Sequence, residues 1–86
     1  MIWKDTTSYS RSDAAREPRT FRAVVGPIDI IVTRHIHYPG AWVLQCSTIL
    51  GMRMIELRSA ELAAAQVEAV SIVRARVAEI ARALEV

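Results

Sequence analysis

Cysteine is almost absent from this sequence, and long apolar runs are absent altogether. The 86 residues contain one cysteine, Cys46, so no disulfide forms within the chain and a reducing, intracellular compartment is expected. No apolar run reaches about 18 residues, which predicts that no helix spans a membrane. The first ten residues, MIWKDTTSYS, lack the apolar centre of a signal peptide, so we expect no secretion signal.

Lysine is equally scarce, and the charge is nearly balanced. Lys4 is the only lysine among eleven basic residues, and the formal net charge is +2. Arginine favours bidentate contacts with carboxylate or phosphate, although a GC-rich genome produces the same bias and is our preferred explanation. No run of like charges marks a nucleic-acid-binding arm. Hydrophobic residues make up 52% of the chain, which predicts a folded domain.

Glycine and proline are few, three of each, and they divide the chain into segments. Residues 1–18 are mostly polar and predict an arm or loop, which Trp3 and Tyr9 would hold against the body of the protein. Residues 19–57 contain short β-rich runs, and residues 59–86 contain neither glycine nor proline and predict one long helix. The sequence therefore predicts a single α+β domain: a three- to four-stranded antiparallel meander with one C-terminal helix packed on one face.

Two turns predict the register of the sheet. Gly26-Pro27 suits a two-residue hairpin turn, which pairs Val25 with Ile28 and continues to Phe21 opposite Val32. The next turn is predicted at residues 38–40 as a three-residue loop. It pairs Ile36 with Trp42, Arg34 with Leu44 and Val32 with Cys46. We prefer this register to that of a two-residue loop, because it gathers the apolar side chains on one face.

The helix is predicted to begin at Ser59, a good N-cap residue, with Glu61 in its first turn. One apolar seam follows the spacing of a helix, with flanking alanines that allow close approach to a sheet. The seam comprises Val70, Val73, Val77, Ile80 and Leu84, with Leu62 extending it. A helix of about 26 residues is about 39 Å long, longer than an eight-residue strand of about 27 Å. Either the N-terminal arm or a second copy covers the excess, including Val67 and Ile72, and we prefer the arm.

The pair His35 and His37 raises the question of a metal site. In the preferred register both lie on the outer face of the sheet, away from the helix, whereas Cys46 points into the core. Zinc needs three or four ligands, and Asp29 is about 20 Å from His35 along the strand. We therefore expect no metal site within one subunit and no cofactor; a site assembled by a dimer is the less favoured alternative. Catalysis is not expected either, because Cys46 lacks an adjacent base and no nucleotide-binding or hydrolase motif is present.

The outer face of the sheet is the candidate binding surface. It combines β-branched residues with arginine and histidine, a mixture typical of interaction sites. The alternatives are that the arm covers this face or that its scattered apolar residues have no function. The predicted partner-binding residues are Arg19, Arg22, Ile31, His35 and His37. A nucleic-acid-binding role remains a second hypothesis, since the arginines at 11, 16, 19 and 22 could follow phosphates. However, no outward aromatic residue is available to stack on bases.

The chain also resembles small proteins carried by bacteriophages, and in size and build it resembles the anti-CRISPR proteins. The resemblance is carried by Trp3, Tyr9-Ser10, Pro18-Arg19-x-Phe21, Arg34-His35, Gly40-x-Trp42-x-Leu44-x-Cys46 and the alanine-rich helix. Anti-CRISPR proteins are inhibitors that bind a bacterial defence complex. The resemblance implies a non-enzymatic inhibitor in the cytoplasm of the host bacterium, with a CRISPR effector as its protein partner. Because this chain is basic, mimicry of nucleic acid is not implied. A homodimer formed through the helix is the remaining alternative.

Overall fold

The computed structural model describes residues 1–7, 18–35, 40–46 and 51–85. They form a five-stranded antiparallel sheet and one C-terminal helix, so the predicted α+β class is confirmed. The elements are β1 (Lys4–Asp5), β2 (Thr20–Val25), β3 (Ile28–Arg34), β4 (Trp42–Cys46), β5 (Met52–Glu56) and α1 (Leu62–Leu84). The strands lie in the sheet in the order β1-β2-β3-β4-β5, so each pairs with its neighbour in sequence. Within the described residues, no helix is long and apolar enough to cross a bilayer.

The fifth strand comes from the segment that was predicted to be a loose arm. Lys4 pairs with Arg22 across β1 and β2, and the Thr7 hydroxyl accepts hydrogen bonds from the backbone N–H groups of Arg19 (2.7 Å) and Thr20 (2.9 Å). A two-residue strand has too few residues to show an alternating pattern, which is why the sequence did not reveal it. Trp3 packs against the core as predicted, whereas Tyr9 lies outside the described residues.

The hairpin of β2 and β3 has the predicted register. Val25 lies opposite Ile28, and Phe21 lies opposite Val32. The turn between them contains Gly26 with a φ of 57°, a left-handed conformation that glycine adopts without steric cost. The local chemistry of this turn was therefore sufficient to set six cross-strand pairs.

The predicted register of β3 and β4 is wrong by two residues. Arg34 lies opposite Trp42 instead of Leu44, and Val32 lies opposite Leu44 instead of Cys46. The strands end earlier than predicted, so the connection takes the seven residues 35–41 instead of three. A shift of two residues preserves the alternation, and each β4 side chain therefore keeps its predicted face.

A β-bulge interrupts the last pair of strands. Arg53 and Met54 of β5 stand opposite the single residue Gln45 of β4. Met54 has a φ of 50°, in the left-handed region, and its sulfur accepts a hydrogen bond from the Gln45 side chain at 3.0 Å. A bulge in an edge strand increases the local twist and makes pairing with a further strand less favourable.

The core lies between the sheet and the first half of α1. Three helix residues are buried in it: Ala65 and Ala69, both fully, and Val73. Two of the alanines that were predicted to flank the seam thus lie in the contact, where their small side chains let the helix backbone approach β3 and β4; Leu62 and Ile72 also pack against this core. The buried strand residues of this core are Ile30, Val32, Trp42, Leu44, Cys46 and Met52.

Trp42 connects three parts of the core. Its ring lies 6.3 Å from that of Phe21, and the Arg34 guanidinium lies 5.1 Å from the Trp42 ring centre, a cation–π contact. The indole N–H donates a hydrogen bond of 2.9 Å to the carbonyl oxygen of Ala60, just before the helix. Trp42 therefore packs within the sheet and also fixes the chain where it leaves β5 for α1.

The N-cap of the helix lies two residues later than the capping pattern predicts. Glu61 is the N-cap residue, with a φ of −85° and a ψ of 136°, and its side chain makes no cap hydrogen bond. Ser59, the predicted N-cap, instead donates its hydroxyl to the Glu68 carboxylate at 3.0 Å. The same carboxylate accepts hydrogen bonds from the backbone N–H groups of Arg58 and Ser59. A side chain from the helix thus satisfies the donors of the preceding turn.

Replacing Glu68 by glutamine is expected to lower the free energy of unfolding by about 1 kcal/mol, since solvent screens part of this network. The backbone N–H of Arg58, followed by the Ser59 groups, lowers the pKa of Glu68 below its usual value of 4.5. A lowered folded-state pKa means that the contribution is complete above the usual pKa and is lost as the pH falls through the folded value. The difference in unfolding temperature between wild type and variant should therefore shrink between pH 7 and pH 3.

The matched control is Glu79→Gln, which removes only the exposed contact of Glu79 with Arg76. An exposed pair three residues apart contributes little to stability, so this variant should unfold near the wild-type temperature. A Glu68→Gln effect that stays constant across the pH range would contradict a role for the ionised carboxylate.

The second half of α1 extends beyond the sheet, as the length comparison predicts. From Arg74 to Glu85 every residue is exposed, and the seam residues Ile80 and Leu84 are 38% and 80% exposed. Met1 shares a groove with Val77, but the apolar residues farther along stay uncovered. Of the arm residues that the structure describes, Met1 thus reaches the helix at Val77.

Candidate functional site: the outer face of the sheet

The outer face of the sheet turns away from α1. Side chains alternate along each strand, and directly paired residues share a face, so the register assigns the members of this surface. They are Lys4, Thr20, Arg22, Val24, Asp29, Ile31, Thr33, Val43, Gln45 and Glu56.

The most ordered polar feature of this face is an ion pair between β2 and β3. Arg22 Nε donates to Asp29 Oδ1 at 2.6 Å, and Arg22 Nη2 donates to the second carboxylate oxygen. The Arg22 side chain is 49% exposed and that of Asp29 is 20% exposed. The hydrogen bond to Asp29, with its negative charge, raises the pKa of Arg22, so the guanidinium stays charged. The pair holds a long cationic side chain in one orientation at the surface.

The two sides of the outer face differ in exposure. On the β4 side Val43 is only 1% exposed, and the neighbouring Ile31 and Thr33 are half-buried. On the β2 side Val24 is 64% exposed. Apart from Glu56 on the edge strand β5, the accessible part of this face is a small area on the β2 side that we call the Arg22 patch, defined by Lys4, Arg22, Val24 and Asp29.

The predicted partner-binding residues fall into two groups. Arg22 and Ile31 are direct cross-strand partners in the middle of the sheet. Arg19 is exposed and His35 is half-buried; both lie at the end of the β2–β3 hairpin farther from its turn, where the Arg34 N–H donates to the Arg19 carbonyl at 2.9 Å. His37 lies outside the described residues.

Lys4 and Asp29 were not among the predicted binding residues. Lys4 joins the patch only because β1 exists, and no pattern in the sequence indicated that strand. Asp29 could have been found, because the predicted hairpin register already places it diagonally across from Arg22 on the same face. The sequence thus carried the signal for the ion pair and lacked one for the lysine.

The described residues offer little for metal binding or nucleophilic chemistry. In residues 1–7, 18–35, 40–46 and 51–85, no group of three or more histidine, cysteine or acidic side chains is placed to hold a metal ion. Cys46 lies in the core, as predicted, and burial raises the pKa of its thiol, with a smaller contribution from Asp29. A protonated, buried thiol is a poor nucleophile.

Comparison with known proteins adds no relative. No protein-family model matches the chain, and neither curated proteins nor solved structures include a significant match. The surface of the described residues is therefore the remaining guide to function, and on the outer face of the sheet the Arg22 patch is held in place by the two hydrogen bonds between Arg22 and Asp29.

Proposed function

We propose that this chain is a small non-enzymatic binding protein that acts by covering a surface of another protein. In its most specific form the proposal is a phage-borne inhibitor of a bacterial defence complex, working in the cytoplasm of the host as anti-CRISPR proteins do. Neither a cofactor nor a metal is part of the proposed activity. The contact surface is the Arg22 patch, extended by Ile31 and by the end of the hairpin that carries Arg19 and His35.

The observation that supports this proposal most directly is the exposed Val24 beside the fixed guanidinium of Arg22. An apolar side chain left 64% exposed can lose that surface when a partner binds. Arginine is enriched at the residues that dominate protein interfaces, and its cost of immobilisation is lower when it is already held in place. The salt bridge to Asp29 supplies that order before any partner arrives.

The charge of the patch indicates the chemistry of the partner. Asp29 neutralises Arg22, and Lys4 on the neighbouring strand leaves one net positive charge. A partner surface with an apolar spot and a nearby carboxylate would complement this arrangement. No aromatic side chain lies on the described outer face, so base stacking has no platform there, and a protein is the favoured partner.

The test measures binding of the tagged chain to purified CRISPR effector complexes, together with their cleavage of target DNA. Val24→Glu should weaken binding at least about 100-fold, because it places an uncompensated charge in the apolar centre of the contact. Val24 lies directly opposite Asp29, so the new carboxylate should also lower the unfolding temperature slightly. Circular dichroism should show that the variant is still folded at the temperature of the binding assay. The matched control is Val67→Glu, an equally exposed valine on the helix, which should bind and inhibit like the wild type.

Two outcomes would contradict the proposal. One is the absence of binding and inhibition with every effector complex tried. The other is an equal effect of Val24→Glu and Val67→Glu, which would exclude the Arg22 patch. In parallel, capture from bacterial lysate should survive nuclease treatment. Capture that disappears with nuclease, with affinity falling steeply as salt increases, would identify a nucleic-acid-binding protein instead.

A charge exchange separates the role of Arg22 in binding from its role in the fold. Arg22→Glu alone places two carboxylates side by side and should lower the unfolding temperature. The double variant Arg22→Glu/Asp29→Arg restores an opposite-charge pair across the same strands. It should recover the unfolding temperature without recovering partner binding, because the guanidinium now lies at a different point of the surface. Recovery of both would show that Arg22 acts only through the stability of the sheet.

A further inference from the structure

The exposed seam on the second half of α1 is a feature that the proposed function does not use. It lies on the opposite side of the sheet from the Arg22 patch. Val70, Val73, Val77, Ile80 and Leu84 repeat at intervals of three and four residues. This is the spacing by which two helices pack side by side as a coiled coil. The seam is buried only at Val73, where the sheet still supports the helix.

We propose that the overhanging half of α1 packs antiparallel against the same segment of a second copy of this chain. The overhanging half of each helix then packs on the side of the other helix that faces the sheet, just past the end of that sheet. The two sheets lie at opposite ends of the helix pair. A parallel arrangement is disfavoured, because it would bring both sheets to the same end, where the seam already faces its own sheet.

The spacing of the seam makes it complementary to itself in the antiparallel direction. When Val77 lies opposite the partner's Ile80, the same alignment places Leu84 opposite the partner's Val73. The overhang from Val73 to Leu84 is about 16 Å long, so the pair ends where each helix meets the partner's sheet. Val73, Val77, Ile80 and Leu84 of each helix therefore all lie opposite an apolar residue of the partner helix.

The point that Leu84 reaches on the partner is an apolar groove. It lies where α1 leaves the sheet and is lined mainly by Met1, Val25, Ile28, Val73 and Val77. Met1 and Val25 in this groove are themselves exposed, and Leu84 is 80% exposed. Docking of Leu84 into the partner's groove removes all three from water. Met1, Val25 and Ile28 of the groove lie outside the seam, so they add apolar surface to the same alignment.

Charge supports the antiparallel direction. Arg74 borders the groove, and in this alignment it lies beside the partner's Glu85 and the last carbonyl groups of the partner's helix. The C-terminal end of a helix carries a partial negative charge, so a guanidinium is favourable there. Arg76 already contacts Glu79 of its own helix, which leaves Arg74 for the contact between chains.

The area of the proposed dimer contact determines the affinity that we expect. Stable interfaces bury about 800 Å² on each partner, and a helix segment of about 16 Å with one groove provides less. The dimer should therefore be weak, with a dissociation constant of about 10 μM or higher. Sedimentation velocity from about 5 to 500 μM should show a shift from monomer to dimer as concentration rises.

Three variants test the seam. Ile80→Glu and Leu84→Glu should each weaken the dimer at least about 10-fold without unfolding the chain, because neither residue packs on its own sheet. Ala78→Gln introduces a side chain of the same length, without a charge that could pair with Arg74, on the opposite side of the overhang and should leave the dimer unchanged. A chain that stays monomeric at about 500 μM, or a dimer unaffected by both seam variants, would overturn the proposal.

A charge exchange tests the direction. Arg74→Glu and Glu85→Arg should each weaken the dimer, and the double variant should restore it. Simple addition of the two losses would overturn the antiparallel arrangement.

If the chain is monomeric but Ile80→Glu abolishes binding to an effector complex, the seam serves a different partner and the dimer is excluded. Val24→Glu should leave the dimer intact, so failure of the Arg22 patch and failure of the dimer remain distinguishable.

Discussion

Replacing Trp42 by alanine is expected to lower the free energy of unfolding by about 4 kcal/mol, the largest single effect that we predict. The ring is buried, packs against Phe21 and lies beneath the Arg34 guanidinium. Its removal also leaves the Ala60 carbonyl without the indole donor. Small domains are stable by about 5–15 kcal/mol, so this variant should lose a large fraction of its stability and unfold at a much lower urea concentration than the wild type. Urea unfolding followed by circular dichroism measures the change.

Two control variants separate the contributions that the N–H group and the burial of the ring make to the effect of Trp42→Ala. Trp42→Phe keeps an aromatic ring but removes the N–H, and it should lose about 1–2 kcal/mol. Trp3→Ala removes an equally large ring that is only half-buried, so it should cost clearly less than Trp42→Ala. A loss below about 1 kcal/mol for Trp42→Ala would show that the core does not depend on this residue.

Replacing Ala69 by leucine is expected to lower the free energy of unfolding by about 2–3 kcal/mol. Ala69 is fully buried at the point where α1 crosses the central strands, so extra methyl groups must separate the helix from the sheet. The helix would also lose contact at Ala65 and Val73, its neighbours along the same stripe. Thermal and urea unfolding of the variant should both show the loss.

The matched control for this substitution is Ala64→Leu. Ala64 is exposed on the same helix, and leucine and alanine are both strong helix formers, so a change within about 0.5 kcal/mol is expected. Equal effects at the two positions would mean that the helix does not depend on close approach to the sheet. A stable Ala69→Leu variant would contradict the packing described for α1.

How far the sheet could be predicted depended on the length of its turns. Gly26-Pro27 allows one tight hairpin, and the register that follows from it is correct. The next connection was predicted from Pro39 and Gly40 as a three-residue loop, but the observed pairs of β3 and β4 are displaced by two residues from that prediction. The alternation of apolar residues cannot detect such an error, because a shift of two leaves every side chain on its predicted face.

The contacts of the helix were harder to predict from the sequence, for a different reason. Its apolar periodicity correctly predicts a helix, but the strongest part of that pattern lies beyond the sheet. The residues buried against the sheet include Ala65 and Ala69, which a hydrophobicity pattern ranks below the valines and isoleucine. Likewise, Ser59 was predicted as the N-cap from its type and position, whereas the nearby Glu68 accepts hydrogen bonds from its hydroxyl and its backbone. Long-range contacts decided both cases.

The candidate site was predictable where it rests on the hairpin register and unpredictable elsewhere. Arg22 was identified as a surface residue of the outer face, and the same register places Asp29 within reach of it. The exposure of Val24 and the burial of Val43 were not predictable, because alternation assigns both to the same face. Strand position determines the direction of a side chain, whereas its exposure depends on what packs around it.

Thr7 has a consequence for how this protein can be modified. Its hydroxyl accepts hydrogen bonds from the N–H groups of Arg19 and Thr20, and the Thr6 N–H donates to the Thr20 carbonyl at 2.9 Å. The chain between residues 7 and 19 therefore starts and finishes at nearly the same point. A linker that joins two ends held this close needs few residues, and each doubling of its length costs only about 0.6 kcal/mol in closure entropy. A tag attached through such a linker at these anchors should therefore carry a small entropic cost.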